Sequence, residues 1–197
     1  MGFESSVLLF LQDNVRNGFL TPVMKAFSFI GDHGGLVWIL IALMLIIIKK
    51  TRWVGIGVGG ALALSGLFTN LIIKPLFHRE RPFAMIPGLD PIGEIPTDAS
   101  FPSGHASAGF AAATAFFIAL PWIMDKAKAH ILGVIIIAIS TCICFSRLYL
   151  GVHYPTDVAT GLLLGIIYGI ISGKIVGMIR RRFTDGHDRT VSEADEK

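Results

Sequence analysis

Five apolar runs constrain this chain more than any other feature: residues 34–48, 53–73, 106–124, 131–145 and 158–179. A helix that crosses the hydrocarbon core of a bilayer needs about 17–25 predominantly apolar residues. Three of the runs reach that length alone, and 34–48 and 131–145 reach it with flanking residues. The chain is 53% hydrophobic and 16% charged, off the usual proportions of a soluble domain in both directions. The expected fold is all-α, a polytopic transmembrane helical bundle of about five spans.

Residues 1–33 read differently. Gln12, Asp13, Asn14, Arg16, Asn17 and Lys25 interrupt two shorter apolar stretches, 7–11 and 27–30, a pattern of amphipathic helices lying in the membrane interface. No basic segment precedes an apolar core with a small-residue cleavage site, so a removable signal peptide is not expected. At the other end, residues 183–197 are polar, mixed in charge and poor in apolar side chains, which predicts a disordered tail. Cys142 and Cys144 sit two apart in one apolar run and point to different sides of a helix, so no disulfide joins them.

The net charge of +3 is explained by where the charges fall. Lys49, Lys50 and Arg52 lie between the first two spans, Lys126 and Lys128 between the third and fourth, and Arg180, Arg181 and Arg182 after the fifth. Alternating spans put all three clusters on one face, which the positive-inside rule makes cytoplasmic. Membrane topology, with no nucleic-acid partner, therefore accounts for the basic residues. It places the C-terminus inside and the opposite loops, with residues 1–33, outside.

Ionisable residues at the edge of a membrane are costly and mark function by default. Lys74, Arg79 and Arg81 follow the second span, and Ser103, Gly104 and His105 open the third. Arg147 closes the fourth, and His153 and Asp157 open the fifth. All emerge on the same outer face. Together they supply cations, two histidines, a carboxylate and a helix N-terminus, which is the composition of a phosphate pocket. His153 and Asp157 are four apart around Pro155, at helix-start spacing. A carboxylate that holds one ring nitrogen leaves the other free as a nucleophile. His153 is thus the candidate nucleophile, Asp157 its orienting carboxylate and His105 the candidate general acid.

Lys74, six residues and Arg81-Pro82, then Pro102-Ser103-Gly104-His105, then Ser146-Arg147, five residues, His153, three residues and Asp157 form an ordered set. It resembles the motifs of the type 2 phosphatidic acid phosphatase family. The resemblance implies a helical membrane phosphatase spanning residues 34–182, without metal or other cofactor, that works through a phosphohistidine on His153. It also implies that Lys74, Arg81, Ser103, Gly104 and Arg147 hold the phosphate. The substrate would be a lipid phosphate or diphosphate, undecaprenyl diphosphate first, with phosphatidylglycerol phosphate and phosphatidic acid as alternatives.

Duller readings stand beside these. Arg79 and His78 fall at unspecified positions of the first motif and read as loop or headgroup contacts, Asn70 as an interhelical partner or equally a residue lining the site, and Tyr149 and Tyr154 as interfacial aromatics. Glu80, Asp90, Glu94 and Asp98 are dispersed along the outer loop without metal-ligand spacing, so no metal is expected. A non-catalytic protein that binds or moves a lipid phosphate would need the cations but not the histidine–carboxylate pair. Vanadate-dependent peroxidase chemistry, found in soluble proteins with the same anion site, sits poorly with five spans. Gly161, Gly165, Gly169 and Gly173 recur every four residues and predict a tight helix contact.

Overall fold

The computed structural model describes residues 2–195, apart from the side chains of residues 33–34 and 185–195. All of its regular elements are helical. In chain order they are α1 (Phe3–Phe10) with a π turn (Leu11–Val15), α2 (Leu20–Ile47), α3 (Arg52–Leu64) running into a π-helical segment (Ser65–Ile73), α4 (Lys74–Phe77) and α5 (Pro82–Met85). Then come α6 (Gly104–Ala119) with a 3-10 turn (Leu120–Trp122), α7 (Lys126–Tyr149) and α8 (Pro155–Asp195).

Among the described residues four stretches are long and apolar enough to cross a membrane: Arg52–Met85, Gly104–Trp122, Lys126–Tyr149 and Pro155–Thr184. The halves of α2, Leu20–Asp32 and Gly35–Ile47, meet at a bend of 55° and make a fifth when counted as one broken span. Large apolar side chains such as Met44, Leu71, Ile131 and Leu163 point outward, as expected where lipid rather than water covers the bundle.

The first long helix differs from the sequence reading in extent. The helix that carries the first apolar run begins at Leu20 rather than near residue 34. Its first half hides Ser28 from the surface and turns Asp32 toward the bundle, while Lys25 on the same half stays exposed. Gly35, at φ +83°, opens the second half, a conformation glycine adopts at no steric cost. The described backbone of α8 runs on to Asp195, and residues 196–197 of the expected tail lie outside the described residues.

α6 forms the centre. Eleven of its sixteen residues are buried and many are alanine, which lets neighbouring backbones come close. α8 uses this: a Cβ at Gly161 would lie 2.4 Å from the Ser103 carbonyl oxygen, at Gly165 2.5 Å from that of Ser107, and at Gly169 2.8 Å from that of Ala111. The steps of four match on both helices, so α6 and α8 run parallel in tight register. Buried hydroxyls bind α7 and the α3 stretch to this pair. Ser107 Oγ lies 2.7 Å from Ser65 Oγ and 2.9 Å from Thr69 Oγ1, Ser140 donates to the Gly109 carbonyl and Ser172 to that of Gly57.

The register sets where the chemistry collects. α6 and α8 start at the same end of the bundle, and the α3–α4 stretch and α7 finish there. Lys49, Lys50, Arg52, Lys126 and Arg180 to Arg182 lie at opposite termini of these helices.

Candidate active site

Each side chain at this end is placed by a local feature of its helix. The π-helical segment ends at Lys74, and such widened turns recur at functional sites because they rephase the residues that follow. Arg81 is extended at the N-cap of α5, with Pro82 at the first helical position, where proline is favoured. Ser103 caps α6, its Oγ accepting from the Ala106 N–H at 3.4 Å. Arg147 lies in the last turn of α7. Gly151, at φ +73°, turns the chain so that His153 returns to the cavity that Arg147 already lines.

That cavity has a volume of about 240 Å³ and is lined by Lys74, Arg81, His105, Arg147 and His153, together with Ser28, Asp32, Glu94 and Asp98. Asp157, fully buried, lies behind His153. Ser103 and Gly104 are not in the lining. The Ser103 N–H donates to the Asp157 carbonyl at 3.0 Å, joining the starts of α6 and α8. Gly104 makes room for Asn70, whose Oδ1 would stand 2.8 Å from a Cβ there.

Arg81 Nη1 is 3.3 Å from His153 Nε2. A guanidinium only donates, so Nε2 is the acceptor and the ring proton sits on Nδ1. His153 Nδ1 lies 3.4 Å from Asp157 Oδ2, longer than a well-formed hydrogen bond. The other bonds of Asp157 are closer: Oδ1 accepts from Arg79 Nη1 at 2.6 Å, and Oδ2 accepts from Ser100 Oγ and from the Tyr154 N–H at 2.9 Å.

Burial, with the charges of Arg81 and Arg147, pushes the His153 imidazole down to about 3 against the opposing pull of Asp157. A free histidine takes up its proton near 6.5. His153 is therefore expected to remain neutral from about pH 8 to about pH 5, with the Nε2 lone pair unprotonated. A ring-nitrogen NMR titration of the labelled protein checks this, and protonation of His153 near its ordinary value would contradict it.

The second histidine has a carboxylate as well. His105 Nε2 is 2.7 Å from Asp32 Oδ1, at the break of α2. Arg147 Nη1 lies 3.8 Å from the same oxygen and donates to Ser28 Oγ. The buried Nε of Arg147 has no hydrogen-bond partner among the described residues, and a buried donor of this kind calls for an acceptor.

Lys74 and Arg81 share Asp98: Lys74 donates to Oδ2, and Arg81 donates through Nη2 to Oδ1 at 2.6 Å and through Nε to the backbone oxygen at 2.9 Å. Burial raises the Asp98 carboxyl, but the bonds and charges of Lys74 and Arg81 outweigh it and hold the group at about 2. The cations expected from the sequence thus come with carboxylates. Among the described residues no three histidine, cysteine or acidic side chains converge as a metal site would require.

Sequence reasoning missed Ser28, Asp32, Asp98, Ser100 and the place of Arg79. Asp32 carried a signal, an ionisable residue beside an apolar run. Asp98 carried none. Tyr149 and Tyr154, read as interfacial, are buried: the Tyr149 hydroxyl accepts from the Asn17 N–H at 3.1 Å and lies 2.9 Å from Thr21 Oγ1, and Tyr154 lies beneath the Arg79 guanidinium. Cys142 and Cys144 are free.

The profile of the PAP2 superfamily matches residues 54–181. An undecaprenyl-diphosphatase of Sulfolobus acidocaldarius is 32% identical over 131 residues, which is 65% of this chain but only 58% of that protein. A decaprenylphosphoryl-5-phosphoribose phosphatase of Mycobacterium tuberculosis is 30% identical over 165 residues, 82% of this chain and 84% of that one. In fold, the chain resembles the crystal structure of a transmembrane PAP2-type phosphatidylglycerolphosphate phosphatase from Bacillus subtilis, with a TM-score of 0.73, 24% identity, and 89% and 85% of the two chains covered. The matched region contains the cavity cations, both histidines and Asp157, and this chain belongs to the PAP2 superfamily of membrane lipid phosphatases.

Proposed function

We propose that this protein hydrolyses a lipid-borne phosphate or diphosphate through a phosphohistidine on His153, without a metal ion, and that its physiological substrate is undecaprenyl diphosphate. The observation that carries the reading is the pair of histidines at one cationic cavity, each beside its own carboxylate, Asp157 for His153 and Asp32 for His105. A site that only bound phosphate would need the cations alone.

In the first step Nε2 of His153 attacks phosphorus while the bond to the leaving oxygen breaks, and His105 gives that oxygen a proton. In the second, His105 takes a proton from water, the water oxygen attacks phosphorus, the N–P bond breaks and inorganic phosphate departs. Lys74, Arg81 and Arg147 neutralise the phosphoryl oxygens throughout. The entering group competes with the Asp98 carboxylate for Lys74 and Arg81, and the unpartnered Arg147 Nε gains an acceptor. Ser103 and Gly104 act from below, by fixing the start of α6. The lipid tail is a polyprenyl chain, a choice supported by the names of the Sulfolobus and Mycobacterium relatives. The cavity faces outward, because the basic clusters gather at the other ends of the helices, where positive-inside placement makes them cytoplasmic.

Asp32 orients His105. Asp32→Asn is expected to lower kcat about 100-fold with a lipid alcohol or phosphate as leaving group, and far less with a p-nitrophenyl leaving group, which departs without a proton. Equal losses on both would contradict this role.

The reading is tested by phosphate release from undecaprenyl diphosphate, phosphatidylglycerol phosphate and phosphatidic acid by purified protein in detergent with EDTA. Release fastest from undecaprenyl diphosphate and absent in His153→Ala is the expected result. Activity abolished by EDTA and restored by a divalent ion would refute metal independence, and no release from any of the lipids would refute the phosphatase assignment.

A further inference from the structure

The N-terminal helix reaches the reacting end of the bundle through one side chain. Leu8 of α1 is fully buried against Ile86, Leu89 and Tyr154, and Glu4, one turn earlier, shares that face. Glu4 Oε1 accepts from the Thr156 N–H at 3.1 Å and from Thr156 Oγ1 at 2.6 Å, at the start of α8. Its Oε2 accepts from Arg79 Nη2 at 2.6 Å. Arg79 in turn donates through Nη1 to Asp157 Oδ1 at 2.6 Å and to Thr156 Oγ1 at 2.7 Å, and its guanidinium lies 3.8 Å above the Tyr154 ring. A continuous line of polar contacts therefore runs Glu4, Arg79, Asp157, His153.

The geometry is directional. Arg79 occupies Oδ1 of Asp157, while Ser100 and the Tyr154 N–H hold Oδ2 on the side of His153 Nδ1. Arg79 is itself fixed on three sides, by Glu4, by Thr156 and by the face of Tyr154. Phe3 and Phe10, exposed on another side of α1, give that helix an apolar surface suited to a membrane interface.

We propose that Glu4 and Arg79 are positioning residues: they set how Asp157 presents its carboxylate to His153, and so make the interfacial N-terminal helix a determinant of the nucleophile's tautomer. The proposal rests on the reading of His153 as nucleophile. A salt bridge that served stability alone would leave the tautomer of His153 untouched. With Arg79 loosened, Asp157 keeps only its Oδ2 contacts to Ser100 and the Tyr154 N–H and can pivot about them, and the Nδ1–H form of His153 loses the part of its preference that Asp157 adds to that of Arg81 at Nε2.

The test uses the full chain in lipid nanodiscs, labelled with 15N in the histidine rings, as wild type, Glu4→Gln, Arg79→Lys and Arg79→Gln. Thermal melts identify any variant that fails to fold, and Glu4→Gln, a mild change on α1, keeps the test open if Arg79→Gln does. The expected result is a single Nδ1–H tautomer of His153 in the wild type and a mixture in Glu4→Gln and in Arg79→Gln. kcat is expected to fall about 10- to 100-fold with KM near its wild-type value, and Arg79→Lys, which keeps the charge but loses the fork, to fall between. A wild-type tautomer retained in folded Glu4→Gln overturns the proposal, whatever the turnover. A wild type that hydrolyses no lipid refutes the phosphatase reading alone, because the ring spectrum reads Glu4 and Arg79 without substrate.

Discussion

Asp157→Asn is expected to lower kcat by about 10⁴-fold and to leave KM near its wild-type value. The carboxylate is fully buried and not part of the cavity lining, so substrate does not touch it. Its influence passes through His153. Both oxygens act as acceptors, Oδ1 for Arg79 and Oδ2 for Ser100 and the Tyr154 N–H. An amide nitrogen in place of either oxygen meets a donor with a donor and leaves a buried group unsatisfied, at a cost of about 1–3 kcal/mol. In the proposed mechanism the amide also removes the charge that would stabilise the cationic ring as the N–P bond forms. Phosphate release by the variant, measured beside its melting temperature, separates the catalytic loss from the loss in stability. A kcat close to wild type would mean that His153 does not depend on this carboxylate.

The largest structural effect is expected at Gly161. Valine there places a Cβ 2.4 Å from the Ser103 carbonyl oxygen and 3.1 Å from the Ala106 Cβ, and backbone cannot yield as a flexible side chain does. Overpacking of this kind costs about 1–3 kcal/mol or more. The strain also falls on the joint at which the Ser103 N–H donates to the Asp157 carbonyl, so parting α6 from α8 displaces the carboxylate. Gly161→Val is expected to melt well below wild type in detergent and to lose turnover even at temperatures where it stays folded. Gly59→Ala, where an added Cβ meets nothing within 4 Å, is the matched control and is expected to behave as wild type. Equal stability of the two variants would contradict the tight parallel packing of α6 on α8.

Much of this is legible in the sequence. The apolar runs identify the spans because lipid imposes length and composition on a helix. The four-residue glycine series names the face of α8 that meets α6. Lys74, Arg81, His105, Arg147 and His153 are scattered in the chain, but helix alternation alone sends them to one end, where they line one cavity. What stayed hidden depended on side-chain direction and loop path. Asp32 looked like part of an interfacial segment because a run broken at residues 33–34 does not register as one helix. Asp98 gives no local sign that a loop will fold it onto Lys74 and Arg81. Tyr149 gave the sign of an interfacial aromatic, yet its hydroxyl is held by Asn17 and Thr21, because the N-terminal segment packs back onto the end of α7. Glu4 and Arg79 are far apart in sequence, and only the docking of α1 through Leu8 brings them together.

The most direct test of the central claim is to trap the covalent intermediate. Wild-type protein and His153→Ala are mixed with undecaprenyl diphosphate carrying a radiolabelled terminal phosphoryl group, quenched in alkali, where phosphohistidine survives, and digested for mass spectrometry. The account predicts acid-labile label on the peptide containing His153 and none in His153→Ala. Label on another residue, or phosphate released by His153→Ala at the wild-type rate, would contradict it.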